Sequence, residues 1–312
     1  MRTGPPSVRR RVAGSLAALL CLAAPALAAP AGAAPAGAAA RLHPAAAIRG
    51  EAARVERYWT AARMRATPPL DAPRGAGLVA SASYAPIAEP TVPPNAVNGR
   101  LFVRQGGKRG YCSATAIDSP SRRLVLTAAH CVNSGPIERR GDGVWSSYLK
   151  FVPAYSGAAE PFGGFVAHRR QAFALRDWTQ FGNPNFDVGA ILTTPNAAGA
   201  NVADAVGGGA AIALDRSRHE QFQTFGYPGK TRFMQGCESP YVGDDARTYR
   251  IPGPPTIGIR CHWAPGASGG GWLIDEGAAI DGLTSYGRPR DLRHTFSPYF
   301  SRRNVGKLVA GL

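Results

Sequence analysis

Three residues in this chain carry side chains that could divide one reaction between them. His130 sits in "LTAAHC" (126–131), directly after an apolar run. Imidazole titrates near neutrality, so it can take a proton and return it. Asp187 lies in "NFDVGAIL" (185–192) among Phe186, Val188 and Ile191. A carboxylate in an apolar strand is costly to bury unless it is paired, and it could accept a hydrogen bond from an imidazole and fix its tautomer. Ser268 stands in "PGASGGGWL" (265–273) among Gly266, Gly269, Gly270 and Gly271. Glycine lets the backbone approach a substrate closely, and backbone N–H groups there could hold an oxyanion. Singly, each has a plainer reading: a structural histidine, a turn aspartate, a glycine-rich turn. Together they supply a nucleophile, a base and an orienting group, the parts needed for acyl transfer.

The elements that must position them are strands. From about residue 96, "GRLFV", "CSATAI", "RLVLTAA", "DVGAILTT", "TIGIRC", "GGGWLI" and "AIDGLTSYG" are short β-branched or aromatic runs. Gly, Pro, Asn and Asp separate them, a pattern that predicts an all-β sandwich or barrel. Only the tail, "SRRNVGKLVAGL", has a helical pattern in this region. With 312 residues, 45% of them hydrophobic, the chain can bury a sizeable core.

The first 92 residues differ in kind. Arg9, Arg10 and Arg11 lead into "VAGSLAALLCLAAPALA", the parts of a secretory signal peptide over 1–28. That run is too short for a stable membrane span, and no later stretch reaches 18 apolar residues, so a soluble, extracellular protein is expected. Residues 29–92 form an Ala/Pro-rich segment with a helix expected over 45–66, its stripe formed by Ile48, Ala52, Val55, Tyr58 and Trp59. Pro68, Pro69 and Pro73 stop that helix, and the segment reads as a pro-segment or tether, or as a plain spacer. "TVPPN" (91–95) marks the start of the main domain, 93–312. Cys21 would leave with the signal, so Cys112, Cys131, Cys237 and Cys261 remain. Four cysteines in an exported protein allow three disulfide pairings. Cys112 with Cys131 and Cys237 with Cys261 close the short local loops.

In the order His130, Asp187, Ser268, these motifs resemble the trypsin-like (chymotrypsin-fold) serine proteases of the secreted bacterial type. "LTAAHC" matches their histidine motif nearly letter for letter, "DVGAIL" their aspartate motif loosely, and "GASGG" their nucleophile loop. "CSATAI" supplies the usual cysteine partner of Cys131, and "GLTSYG" (282–287) resembles the strand that pairs with a bound peptide. "YWTAARMRA" in the leader is similar to pro-segments of secreted bacterial relatives. Over residues 96–312 the resemblance implies two six-stranded antiparallel β-barrels with a C-terminal helix and the triad in the cleft between them. It also implies an oxyanion hole from the N–H groups of Gly266 and Ser268, and a substrate-binding strand at Ser285, Tyr286 and Gly287. A monomeric endopeptidase acting on peptides or proteins, without metal or organic cofactor, is the expected function.

Departures bear on control and specificity. Ala267 precedes the serine where animal digestive members have an aspartate that pairs with a newly freed amino terminus, so that activation switch is absent. A pro-segment that inhibits must then act otherwise, for example by covering the cleft or aiding folding. The floor of the primary pocket is expected at His262, with Trp263 beside it, and no carboxylate there supports a Lys or Arg preference. Thr284, His262 and His294 could receive a carboxylate, as in glutamyl endopeptidases, or Trp263 could narrow the pocket for small residues. Among rival functions, "GASGG" also fits the elbow of α/β-hydrolase esterases, but a strand follows it where a helix is required. Metal catalysis lacks a matching ligand cluster. A catalytically silent member of the fold could bind anionic surfaces or polymers, since residues 92–312 hold 25 Lys plus Arg against 16 Asp plus Glu. Those charges are scattered, and no nucleic-acid motif accompanies them.

Overall fold

The computed structural model describes residues 45–72, 84–137, 142–157, 159–229, 231–288 and 291–312, all within the unit His43–Leu312. The expected signal peptide and the Ala/Pro repeats before residue 45 lie outside the described residues. The leader opens with α1 (Ala45–Tyr58) and α2 (Ala61–Arg65). Thr60 caps α2, its hydroxyl accepting from the Arg63 N–H at 3.2 Å. Pro68 and Pro69 have no N–H to give and end the helical run. Val55, Trp59 and Met64 are fully buried in the core of the first sheet, and Trp59 Nε1 donates to the Tyr148 carbonyl at 2.6 Å. Buried Lys150 pairs with Glu56 of α1 at 2.8 Å and with Glu160 at 2.9 Å. The stretch 45–66 is therefore packed on the barrel rather than hanging free as a tether.

After residue 84, β1 (Ala85–Pro86) joins the second sheet. The first sheet comprises β2 (Asn98–Gln105), β3 (Lys108–Ala116), β4 (Leu124–Thr127), β5 (Ser147–Pro153), β6 (Phe165–Ala167), β7 (Ala172–Ala174) and β8 (Gly189–Leu192). Their order is β6-β5-β2-β3-β4-β8-β7. The second comprises β9 (Ala211–Ile212), β10 (Gln221–Gly226), β11 (Gln235–Asp244), β12 (Ile257–Ile259), β13 (Gly271–Ile274), β14 (Ala279–Leu283), β15 (Tyr286–Arg288) and β16 (Asp291–Ser297). Here the order is β15-β16-β12-β11-β10-β13-β14-β9, with β1 on β11. All pairs are antiparallel except β9 with β14. Strands beyond six per sheet are two- or three-residue pieces such as β1, β7 and β9.

Leu101, Phe102, Val125, Leu126, Phe151 and Ile191 fill the first core, and Phe222, Ile257, Ile259 and Trp272 the second. Cys112–Cys131 bonds β3 to the short helix α3 (Ala129–Val132), and Cys237–Cys261 bonds β11 to the residues after β12. The tail makes a wide helical turn (Arg302–Gly306) and a single α turn (Lys307–Val309). Buried Asn304 in that turn donates to the carbonyls of Asn185 and Tyr299 at 3.0 and 2.9 Å, anchoring the tail two residues before Asp187. Among the described residues no helix is long and apolar enough to cross a membrane.

Candidate active site

β4 runs into α3, which carries His130 next to the disulfide sulfur of Cys131. The His130 N–H donates to Asp187 Oδ1 at 2.9 Å, and ring Nδ1 lies 2.8 Å from Asp187 Oδ2. An ionised carboxylate only accepts, so the shared proton belongs to Nδ1 and Nε2 carries the lone pair. That Nε2 is buried and has no hydrogen-bond partner among the described residues. Burial works against the imidazolium, but the charge of Asp187, its hydrogen bond and the nearby Asp71 outweigh it and hold the His130 pKa above the ordinary imidazole value.

Asp187 is not inside a strand, as its apolar neighbours predict. It ends a tight 3₁₀ turn (Pro184–Phe186) just ahead of β8. Pro184 presets the first turn residue, and Asn183 Oδ1 accepts from the Asn185 N–H at 3.0 Å to start the turn. The carboxylate is 2% exposed and takes a third hydrogen bond from Ser285 Oγ at 2.5 Å. Two donors come from the first sheet's side and one from the second, which locks the carboxylate against rotation.

The Ser268 loop is held from both sheets. The Ser113 N–H of β3 donates to the Ser268 carbonyl at 2.8 Å. Ser113 Oγ donates to the Gly266 carbonyl and accepts from the Tyr227 N–H, both at 2.9 Å. From the other side, the Gly269 N–H donates to the Thr284 carbonyl at 2.7 Å. Gly266 and Gly269 adopt φ of +96° and +84°, and a Cβ at 269 would run into Thr127 Oγ1 and the Ser113 carbonyl. Nearby, buried Arg100 faces the rings of Tyr111, Tyr155 and Tyr227 at 4.0, 4.6 and 4.8 Å. It donates to the Thr231 carbonyl at 2.5 Å, and burial draws its pKa below the usual arginine value.

Ser268 Oγ does not donate to His130. It donates to Asp71 Oδ2 at 2.6 Å, while Asp71 Oδ1 accepts from the Gly266 N–H at 2.8 Å. The Leu70 N–H donates to the Tyr111 carbonyl at 2.9 Å and the Tyr111 N–H to the Pro68 carbonyl at 3.1 Å, a short parallel pairing that delivers Asp71 to this point.

The expected pocket residues fall nearby. Trp263 is buried in the second core; its ring stacks on Tyr84 at 4.9 Å and its Nε1 donates to Thr224 Oγ1 at 3.2 Å. His262 beside it is half-buried. Thr284 is buried, its hydroxyl accepting from Trp272 Nε1 at 3.0 Å. His294 Nδ1 is paired with Asp291 at 2.8 Å. The Ser285 N–H donates to the Phe296 carbonyl at 3.0 Å, and Tyr286 and Gly287 begin β15, which ends the sheet order among the described residues. Among the described residues the only metal-type cluster is Cys112, His130 and Cys131, and its two sulfurs are joined in the disulfide.

Sequence reasoning missed two contributors. Ser285 was assigned to the substrate strand, yet its hydroxyl also steadies Asp187, and nothing in "GLTSYG" distinguishes those roles. Asp71 is a lone carboxylate in "TPPLDAP", where prolines force an extended path; that rigid, single-charge stretch was the available signal.

No protein-family model matches the chain, and no curated protein matches it. Solved structures do. The protease Anisep from Arthrobacter nicotinovorans is 26% identical over 66% of this chain and 90% of that one, with a TM-score of 0.58. The thermostable serine protease AL20 from an extremophilic microorganism is 25% identical over 66% of this chain and 92% of that one, also at 0.58. A Glu endopeptidase, 16% identical over 74% of this chain and 96% of that one with a TM-score of 0.57, is alike in fold. The two sheets are those of the chymotrypsin-like double β-barrel, and the structural neighbours are bacterial-type serine proteases.

Proposed function

We propose that the chain is a secreted serine endopeptidase that cleaves peptide bonds with His130, Asp187 and Ser268, matured by loss of a signal over 1–28 and a pro-segment up to about residue 92. The observation that carries this reading is the double hydrogen bond from His130 to Asp187, which leaves Nε2 as a buried base with no hydrogen-bond partner among the described residues. In the reaction, Ser268 Oγ bonds to the peptide carbonyl carbon as its proton passes to Nε2. The carbonyl oxygen takes the negative charge and is held by the N–H groups of Gly266 and Ser268, each donor worth about 3 kcal/mol in comparable sites. His130 returns the proton to the leaving amine, and a water repeats the sequence to release the acyl group. Asp187 stays ionised throughout and stabilises the imidazolium. The outer edge of β15 gives Ser285 to Gly287 a means to hold an extended substrate by strand addition. The two disulfides fit an oxidising, extracellular compartment.

The test is a peptide-mixture digest read by mass spectrometry, using protein matured by its own host. Cleavage by wild type that vanishes in Ser268→Ala, with the fold retained, is the expected outcome. Undiminished cleavage by the variant would remove Ser268 from the chemistry. The residue before each cut would define the pocket at His262, Trp263 and Thr284.

A further inference from the structure

Asp71 occupies both groups that the proposed reaction must have free. The Gly266 N–H, assigned to the oxyanion, donates to Oδ1; the Ser268 hydroxyl, assigned to attack, donates to Oδ2. A carboxylate is a poor electrophile, because its carbon is already flanked by two electron-rich oxygens, so what sits in the site is an occupant and not a substrate. The contact spans 197 positions of chain. It is prepared on both sides of the residue. Upstream, Val55, Trp59 and Met64 bury the leader in the first core, and the pairing of Pro68 and Leu70 with Tyr111 fixes the last step before Asp71. Downstream, Tyr84 stacks flat on Trp263 at an interplanar angle of 3°, β1 pairs with β11, and the Ile87 N–H donates to the Met234 carbonyl at 3.0 Å.

We infer that Asp71 is an autoinhibitory latch: its carboxylate ties up Ser268 and Gly266 in the full-length chain and keeps the enzyme silent until the leader is withdrawn. The inference rests on the reading of Ser268 as the nucleophile. The charge of Asp71 also adds to that of Asp187 in favouring the imidazolium of His130, and a protonated base cannot accept the serine proton. One carboxylate thus acts on nucleophile, oxyanion donor and base together.

The test is the rate at which a fluorophosphonate, which bonds to an activated serine oxygen with loss of fluoride, labels Ser268 in the intact chain. Wild type should label slowly and Asp71→Ala faster by about tenfold or more, the scale of losing one charge-assisted hydrogen bond. Asp71→Asn, which keeps one acceptor and loses the charge, should fall between them, and Ser268→Ala added to Asp71→Ala should abolish labelling. Unfolding cannot mimic the expected gain, because an unfolded chain has no activated serine. Equal, rapid labelling of wild type and Asp71→Ala would overturn the latch and leave the protease reading intact. Labelling of neither, while host-matured protein labels, would overturn the latch alone; silence of the matured protein too would overturn both.

Discussion

At the scale of single residues, the proposed chemistry turns on what Asp187 does to His130. The imidazole is buried, which disfavours its charged form, yet the adjacent carboxylate raises its pKa above the ordinary value. Only the neutral ring can take the serine proton, so the acid limb of the activity profile should lie higher than for a free histidine. Asp187→Asn removes the charge, and the sign follows: the His130 pKa drops and the acid limb moves to lower pH. The amide can also present its N–H₂ to Nδ1 and select the wrong tautomer, so activity of the matured enzyme should fall by about 10⁴, as in the worked case of a related triad. Titration of the His130 ring by NMR, beside the rate profile, checks both effects. An unchanged ring titration would mean that Asp187 does not set the base. His130, Asp187 and Ser268 stood out as candidates because the motifs around them are dense in local signal; the structure joins His130 to Asp187, whereas Ser268 Oγ donates to Asp71. Ser285 was legible as a position and not as a role, since its bond to Asp187 crosses 98 residues of chain.

At the scale of elements, the edge strand β15 is the part most exposed to failure. Among the described residues it is three residues long and pairs only with β16, and in the proposed reaction its other edge holds the substrate. Asp245 clips it in place: its carboxylate accepts from Tyr286 Oη at 3.0 Å and from Arg288 Nε at 3.1 Å. Burial pushes the Asp245 pKa up, but Arg288, the Arg247 N–H and Tyr286 outweigh it and hold the carboxyl below the usual aspartate range. Asp245→Ala should therefore free β15 and leave Arg288 unpaired. A strand that binds substrate backbone equally before and during reaction affects KM more than kcat. KM of the matured enzyme should rise by up to about tenfold, with kcat nearly unchanged, the size of one lost hydrogen bond to a charged group. A fall in kcat at constant KM would place Asp245 in the catalytic geometry instead. The main strands were readable from short β-branched or aromatic runs between turn residues; the helix over 45–66 was readable from its stripe, but not its break at Thr60 into Ala45–Tyr58 and Ala61–Arg65. What escaped were pieces set by tertiary context: two-residue strands such as β1 and β9, and the turn at Pro184 that takes Asp187 out of the strand its neighbours suggest.

At the scale of the whole molecule, the two barrels meet along a seam that only long-range contacts define, which is why Asp71 could not be placed from sequence, although Ala267 already shows that the activating aspartate of animal digestive proteases is missing. A second whole-molecule property also depends on a long-range environment. Asp281, in β14, is 1% exposed, and its Oδ1 has no hydrogen-bond partner among the described residues. Burial, with Glu220 adding to it, pushes its pKa up to about 8 from 3.8. In the unfolded chain this carboxyl loses its proton near pH 4, whereas in the folded protein it keeps it until about pH 8. Between those values the native state binds more protons than the unfolded one, so this group lowers stability as pH rises, at no more than about 1.4 kcal/mol per pH unit. The chain's net charge of +16 at pH 7 works the other way, because ionising carboxyls relieve repulsion as pH rises. A melting curve of wild type alone would mix the two. Asp281→Asn separates them: near pH 4 it replaces a neutral carboxyl by a neutral amide of the same shape, and Tm should match wild type closely. From there to pH 8 the variant should gain steadily on wild type, and above pH 8 the gap should stop growing. A constant gap across the whole range would show instead that Asp281 ionises at the same pH folded and unfolded, and would overturn the shift.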